Sequence, residues 1–334
     1  MKNLNKIFSI ITALCLSLVL FAGCNSTTTP SEETSEPTLR VRIAGLKGPT
    51  TMGMVQLMNS VDEGTALHNY EFTMYGTADE IVPRLIQGEI DIAAVPANLA
   101  SVLYNRTEGG VQMLAINTLG VLYIVEAGDS ITSIEDLRGQ TIYMAGKGTV
   151  PEFVLTYVLE QNGMVIGEDV FVEFKAEATE VAAILASTEN AIALLPQPYA
   201  TTVQMQNENV RVALDMTEQW NAVADGNTLI TGVLIVRTEF AEQNPEIVAD
   251  FLAEYEASIN YVNANTDVGA MLVAQYEIAP EAVALKALPL CNITYIGGEE
   301  MKPIMNAYLQ VLFDLNPESV GGTLPDEEIF YYTV

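Results

Sequence analysis

The sequence has 334 residues with 14 basic and 43 acidic side chains, a net charge of −29 at neutral pH, and 49% hydrophobic residues. So acidic a balance argues against nucleic acid or an anionic membrane face as partner, because both require basic patches. The acids are dispersed, as on a solvated surface, and no Asp/Asn/Gly loop has calcium-site spacing.

Lys2 and Lys6 open the chain, and an uncharged, mainly apolar run follows from Ile7 to Phe21. That run falls short of the roughly 20 apolar residues of a spanning helix, so residues 1–23 read as a signal peptide. Phe21-Ala22-Gly23-Cys24 places small residues before a cysteine, close to a bacterial lipobox, with Phe21 where an aliphatic residue is usual. Cys24 is expected to be acylated as the mature N-terminus; the alternative is an ordinary signal peptide cut near Gly23. Residues 24–38 are then the lipidated cysteine and a flexible tether, since NSTTTPSEETSEPT has no apolar residue with which to build a core. Cys15 leaves with the signal, so Cys291 remains as the one free thiol, with no disulfide partner and apolar neighbours that suit a core position.

From Leu39 onward, strand-like and helix-like runs alternate. Strands are expected at Leu39–Ala44, Tyr70–Tyr75, Asp91–Val95, Val111–Ile116, Thr141–Met144, Val170–Phe174, Ala191–Leu195 and Val210–Leu214. Helices are expected between them, at Met52–Asn59, Asp79–Gln87, Leu99–Asn105, Pro151–Asn162 and Glu180–Ala186, with Pro83 kinking one or ending it early. Alternation of this kind indicates a parallel-rich α/β fold. After Thr238 the chain reads as mainly helical, over Pro245–Asn263, Asp267–Gln275, Glu281–Leu288 and Glu300–Leu315.

An internal echo runs through this pattern at an offset of 100 residues. Lys47-Gly48 recurs as Lys147-Gly148, each after a strand and before a helix. Ala78, Glu80, Leu85, Glu89, Ile92, Ala93, Pro96 and Ala100 recur as Ala178, Glu180, Leu185, Glu189, Ile192, Ala193, Pro196 and Ala200. Two similar lobes account for this register. Gly120–Glu126 and Gly232–Arg237 both begin Gly-Val-Leu and fall where the chain must pass between lobes, as two crossing strands. Lobe 1 is therefore expected to comprise residues 39–123 and 233–334, and lobe 2 residues 124–232.

In open α/β sheets, ligands bind beyond the carboxyl ends of strands at helix starts, where glycine permits close approach and free N–H groups can donate. Four loops qualify: Leu46–Met52, with Lys47, Gly48, Pro49, Thr50 and Thr51; Pro96–Asn98, with Pro96, Ala97 and Asn98; Gly146–Val150, with Gly148 and Thr149; and Pro196–Tyr199, with Pro196, Gln197 and Tyr199. Thr149 with Glu152 also fits a capping box, so it either caps a helix, contacts a ligand, or does both. Lys47 and Lys147 either face an anion or are solvated. The Glu152 carboxylate repels an anion at its own helix start, so an anionic group would favour the start after Gly48. Trp220, the one tryptophan, lies in a polar segment and either stacks on a ligand or packs a loop; Tyr199 has the same two options.

Catalytic patterns are sparse. His68 is the single histidine and sits in a polar stretch, which rules out a His-pair metal site and argues against a Ser-His-Asp triad. No G-x-S-x-G elbow or G-x-G-x-x-G strand–helix turn is present, and Gly146-Lys147-Gly148-Thr149 lacks the Lys-Ser/Thr step of a phosphate loop. No cofactor is called for.

The strand followed by Lys-Gly, the DIAAVPANLA segment (Asp91–Ala100), the SIEDLRGQTIYMAGKGT segment (Ser133–Thr149) and GVLIVR resemble ABC-importer solute-binding proteins of the nitrate/sulfonate/bicarbonate and thiamine-pyrimidine-precursor type. The ending NPESVGGTLPDEEIFYY resembles lipoproteins of Gram-positive anaerobes. The resemblance implies a type II periplasmic-binding-protein fold, two α/β lobes joined by two crossing strands, and a helical C-terminal region. It also implies a monomer that captures a small polar organic or anionic molecule between its lobes and delivers it to an ABC permease with its separate ATPase. The membrane would be met only through the lipid anchor, on the extracytoplasmic face. No arginine in the four loops would clamp a nitrate or sulfonate. Two other readings stand beside this one: a lipoprotein sensor of a small ligand, and an enzyme resembling a pyrimidine-precursor synthase, which would need more than one histidine and a cysteine cluster.

Overall fold

A computed structural model describes residues 39–332. The expected signal peptide, Cys24 and tether lie outside the described residues.

The chain begins with β1 (Arg40–Leu46), α1 (Pro49–Met52), α2 (Val55–Asp62), β2 (Asn69–Tyr75), α3 (Ala78–Ile86), β3 (Ile92–Pro96), α4 (Ala97–Arg106) and β4 (Val111–Leu119). The single helix expected over 52–59 is thus two, split by a turn at Gly53. The backbone there lies so close to the long helix over Pro245–Ala264 that a β-carbon on Gly53 would come within 2.8 Å of Ile259. Helix α3 runs through Pro83 rather than stopping before it. Its buried face of Ala78, Ile81 and Leu85 is held by the core, and Pro83 is exposed, so the carbonyl deprived of its N–H partner faces solvent.

The chain leaves the first sheet at Gly120–Val121 and continues as β5 (Leu122–Ala127), β6 (Thr141–Met144), α5 (Val150–Gln161), β7 (Phe171–Phe174), α6 (Ala178–Ser187), β8 (Ile192–Pro196), α7 (Tyr199–Gln206), β9 (Val210–Asp215) and α8 (Met216–Val223). Residues 224–229 lead back to β10 (Ile230–Arg237). Then come α9 (Thr238–Gln243), α10 (Pro245–Ala264), α11 (Thr266–Gln275), α12 (Glu281–Ala287), β11 (Ile293–Gly297) and α13 (Gly298–Leu315). β11 falls between the helices expected at Glu281–Leu288 and Glu300–Leu315, where the sequence reading assigned no element.

Two mixed sheets result, ordered β11-β4-β10-β3-β1-β2 and β7-β6-β8-β5-β9. β1 pairs in parallel with β2 and β3, and β6 does the same with β7 and β8. The two Gly-Val-Leu segments become the antiparallel members: β10 lies between β3 and β4, and β5 between β8 and β9. The echo is therefore topological. Ile43 opposes Phe72 and Ile92, while Ile142 opposes Val172 and Ile192. The outer strands keep the offset of 100 and the central one has 99, so the second Lys-Gly loop carries one extra residue.

The central strands β3 and β8 are buried on both faces, as strands covered by helices on each side must be. The C-terminal helices touch both halves: Tyr308 of α13 packs on Trp220 of α8, and the Tyr123 hydroxyl of β5 donates to the Leu290 carbonyl at 3.3 Å. Residues beyond α13 return along α4 and β4, where Ser101 and Asn105 donate to the Val320 carbonyl and Tyr331 N–H donates to Met113.

Candidate functional site

β1 and β3 run parallel in the first sheet and β6 and β8 in the second, and the loops that follow all four strands meet at one place. A cavity of about 560 Å³ lies there, between the two sheets. Such a volume is in the range of small-molecule sites.

The first Lys-Gly loop is built by Thr51. Its hydroxyl donates to the Leu46 carbonyl at 2.6 Å, and its N–H donates back to Gly48, which starts α1. Thr51 is thereby spent on the turn and stays off the cavity wall, whereas Lys47, Gly48, Pro49 and Thr50 line it. Thr50 is 7% exposed and its Oγ1 has no hydrogen-bond partner; Thr231 at the start of β10 also lines the cavity and its Oγ1 is likewise unpartnered.

The second Lys-Gly loop needs two left-handed residues, Gly146 (φ +83°) and Gly148 (φ +73°), where a β-carbon is costly. The capping box does not form. The Thr149 hydroxyl donates to the Gly146 carbonyl at 2.7 Å, and the Glu152 carboxylate accepts from Gly148 N–H at 2.5 Å, a more direct use of the charge at a helix start. Lys147 and Thr149 line the cavity; Gly148 does not, and Gly146 takes its place. Lys147 Nζ lies 5.6 Å from the Phe174 ring centre.

Pro96 and Pro196, which end β3 and β8, line the cavity. The residues after them turn away from it. Ala97 is fully buried in α4. Asn98, also buried, donates to Ser319 O at 3.0 Å and to Gly148 O at 3.3 Å, so it ties α4 to the second Lys-Gly loop instead of facing the space between them. Gln197 accepts from the Thr201 hydroxyl at 2.7 Å and braces α7. Tyr199 does line the cavity, and its hydroxyl donates across it to the Lys47 carbonyl at 3.3 Å. Burial, and then the charge of Glu177, push that hydroxyl above the ordinary tyrosine range, so it remains a protonated donor.

Trp220 is a correction to the sequence reading. It is fully buried, its ring centre 4.7 Å from Tyr157 and 5.8 Å from Tyr308, and its Nε1 donates to Asn227 O at 2.7 Å. It lies in the amphipathic helix α8, whose apolar face the polar composition of the segment hid.

The sequence reading also missed two turns, at Gly76–Asp79 and Lys175–Thr179, which start α3 and α6 and complete the cavity mouth. They approach closely: a β-carbon on Gly76 would lie 3.1 Å from the Glu177 carboxylate. The signal was present, since Ala78 and Ala178 belong to the echo, but the turns were not read as lining.

The NMT1/THI5-like family model matches residues 110–267. No curated protein matches the chain. Among solved structures, an ABC transporter protein of Parabacteroides distasonis is 18% identical, with 88% of this chain and 99% of that chain covered at a TM-score of 0.72. The periplasmic aliphatic sulphonate binding protein of Escherichia coli is 16% identical, with 88% and 92% covered at 0.68. The periplasmic nitrate-binding protein of Synechocystis PCC 6803 is 12% identical, with 79% and 75% covered at 0.61. Residues 110–267 are thus similar to the NMT1/THI5-like family model, and the described residues share the fold of these binding proteins, the type II periplasmic-binding-protein fold that the sequence resemblance implied.

Proposed function

We propose that this chain is the extracytoplasmic solute-binding component of an ABC importer, capturing a small molecule in the cavity and delivering it to a membrane permease driven by a separate ATPase. The observation that carries the reading is the cavity: loops from both sheets close on it, and two unserved threonine hydroxyls stand in its wall. The solved relatives of this fold that bind sulphonates or nitrate support the same role. In this reading Lys47, Gly48, Pro49, Thr50, Pro96, Thr149, Pro196 and Tyr199 meet the ligand.

In this reading the lobes part at the connections 120–121 and 224–229, a few residues from the boundaries 123/124 and 232/233 expected from the sequence, because β5 lies wholly in the second sheet and β10 wholly in the first. A ligand touching both lobes favours the closed form, because its contacts with the second lobe exist only there. The Tyr199–Lys47 and Asn98–Gly148 hydrogen bonds, both 3.3 Å, span the same gap and are made with closure. No catalytic step belongs to this function. His68 is bound to Asp250 at 2.8 Å and Cys291 is buried against Met52, with burial pushing its thiol up to about 12; neither lines the cavity.

In this reading an acylated Cys24 anchors the chain to the membrane. No helix of the described residues is long and apolar enough to cross a membrane. Two measurements test the proposal. Cross-linking the full chain in its source membranes should recover a permease with its ATPase, and ATP hydrolysis by that pair in liposomes should rise several-fold when the chain is added; no rise refutes delivery. Cys24→Ala should abolish labelling by radioactive palmitate and move the protein from the membrane fraction to the medium.

A further inference from the structure

The two lobes touch through a pair of hydrogen bonds that mirror one another. From the second lobe, the Tyr199 hydroxyl donates to the Lys47 carbonyl in the first Lys-Gly loop at 3.3 Å. From the first lobe, Asn98 Nδ2 donates to the Gly148 carbonyl in the second Lys-Gly loop, also at 3.3 Å. Each donor follows the proline that ends a strand of its own lobe, Pro96 of β3 or Pro196 of β8, and each acceptor lies in the Lys-Gly loop opposite. At the offset of 100 residues Asn98 corresponds to Pro198 and Tyr199 to Leu99, so the lobes reach the same contact with different residues.

Three of the four groups are held in place by their own lobe. Asn98 is fully buried, and its Nδ2 also donates to the Ser319 carbonyl at 3.0 Å. Ser319 is fixed in turn, its hydroxyl donating to the Leu312 carbonyl of α13 at 2.9 Å. On the acceptor side, the Gly148 N–H donates to the Glu152 carboxylate, and the Lys47 N–H donates to the Tyr75 carbonyl at 3.2 Å. Groups already placed lose little freedom when they meet, so ordering takes little from either bond. Both bonds join protein to protein, and Asn98 does not line the cavity. They therefore favour the closed form whether or not a ligand is bound, and a ligand's apparent affinity rises with the fraction of chain already closed. At 3.3 Å each is long for a hydrogen bond, so its contribution lies at the weak end, a factor of about two to five in the ratio of closed to open chain.

We propose that Asn98 and Tyr199 are reciprocal closure latches: with the Gly148 and Lys47 carbonyls they keep a measurable fraction of the chain closed without ligand, and Asn98 sets the affinity of a cavity it does not line. This rests on the binding function proposed above and adds the residues that position one lobe on the other. Asn98 acts through the second Lys-Gly loop and is a positioning residue. Tyr199 also lines the cavity, so Asn98 is the latch that separates closure from ligand contact.

The test places spin labels at Gln87→Cys and Ser187→Cys, exposed positions at the C-terminal ends of α3 and α6, in the full chain with Cys15 and Cys24 replaced by Ala; Cys291 is fully buried and escapes the label. Helices α3 and α6 start at the cavity mouth in opposite lobes, so opening lengthens the distance between the labels, which double electron–electron resonance reads. Chain freed of co-purified molecules by denaturing dialysis and refolding should show a short-distance population. Asn98→Ala and Tyr199→Phe should each lower the ratio of short to long about two- to fivefold. Titrated with a low-molecular-weight extract of the source culture, Asn98→Ala should need a higher dose for half closure, by up to the same factor, and reach the same distance at saturation. Ser101→Ala, which loses only a bond between α4 and the C-terminal segment, should leave the ratio unchanged. Tyr199→Phe leaves that segment untouched and carries the test if Asn98→Ala does not fold. An unchanged ratio in every latch variant that folds, a Ser101→Ala shift as large as that of Asn98→Ala, or no short-distance population before the extract is added overturns the latch. A ratio that responds to the latch variants but not to the extract overturns the binding function and leaves the latch between the lobes standing.

Discussion

Trp220→Ala is the sharpest test of where the core ends and the cavity begins. The indole is fully buried between Tyr157 and Tyr308, so its loss removes a burial of the order of 150–250 Å², worth about 4–6 kcal/mol at 25 cal/mol per Å² before the alanine's share is returned. The expected net loss is about 3–5 kcal/mol, the usual range for a large aromatic removed from a core. For a chain of this size each kcal/mol moves the melting temperature by about 2–4 °C, so a fall of about 6–20 °C is expected by circular dichroism. Trp220→Phe keeps the ring contacts and loses the donor to Asn227, which should cost about 1–2 kcal/mol. In the native chain this one tryptophan reports its own surroundings, with blue-shifted emission that moves red on unfolding. Both variants should keep the stabilisation produced by a low-molecular-weight extract of the source culture. A Trp220→Ala variant that lost less than about 1 kcal/mol while losing that stabilisation would refute the assignment, because it would put the ring at the ligand instead of in the core.

Two further outcomes follow from named residues. Gly148→Ala meets no neighbouring atom and should cost about 1 kcal/mol for its left-handed backbone alone, whereas Gly146→Ala also brings a β-carbon to 2.8 Å from Thr149 Oγ1 and should cost more; urea unfolding of both variants measures the difference. Acid should destabilise the fold through Asp91, which is 1% exposed. Burial raises its pKa, but hydrogen bonds from the Arg42 side chain and backbone and from Arg237 outweigh this and hold the carboxyl below its ordinary 3.8. A carboxylate lowered in the folded state contributes stability above its unfolded value, and that contribution is lost as pH falls through the folded one. Urea midpoints should therefore drop below about pH 4, and Asp91→Asn should flatten that part of the profile.

Pattern and spacing alone determined the alternation of strands and helices, the doubling at an offset of 100 residues and the loops that would meet, because each depends on local periodicity and on where strands end. The Lys-Gly and proline positions were readable for that reason, and Lys47, Gly48, Pro49, Thr50, Pro96, Thr149, Pro196 and Tyr199 line the cavity. Only the tertiary structure decided how each side chain is spent. Thr51, Asn98 and Gln197 hold loops in place, Trp220 fills the core, β11 pairs with β4 in the gap between two expected helices, and the turns at Gly76 and Glu177 close the mouth. Those outcomes turn on partners far apart in the chain, such as Asn98 with Ser319 or Trp220 with Tyr308. A polar side chain beside a loop has the same local sequence whether it faces a ligand or a backbone carbonyl, and long-range packing alone selects between them.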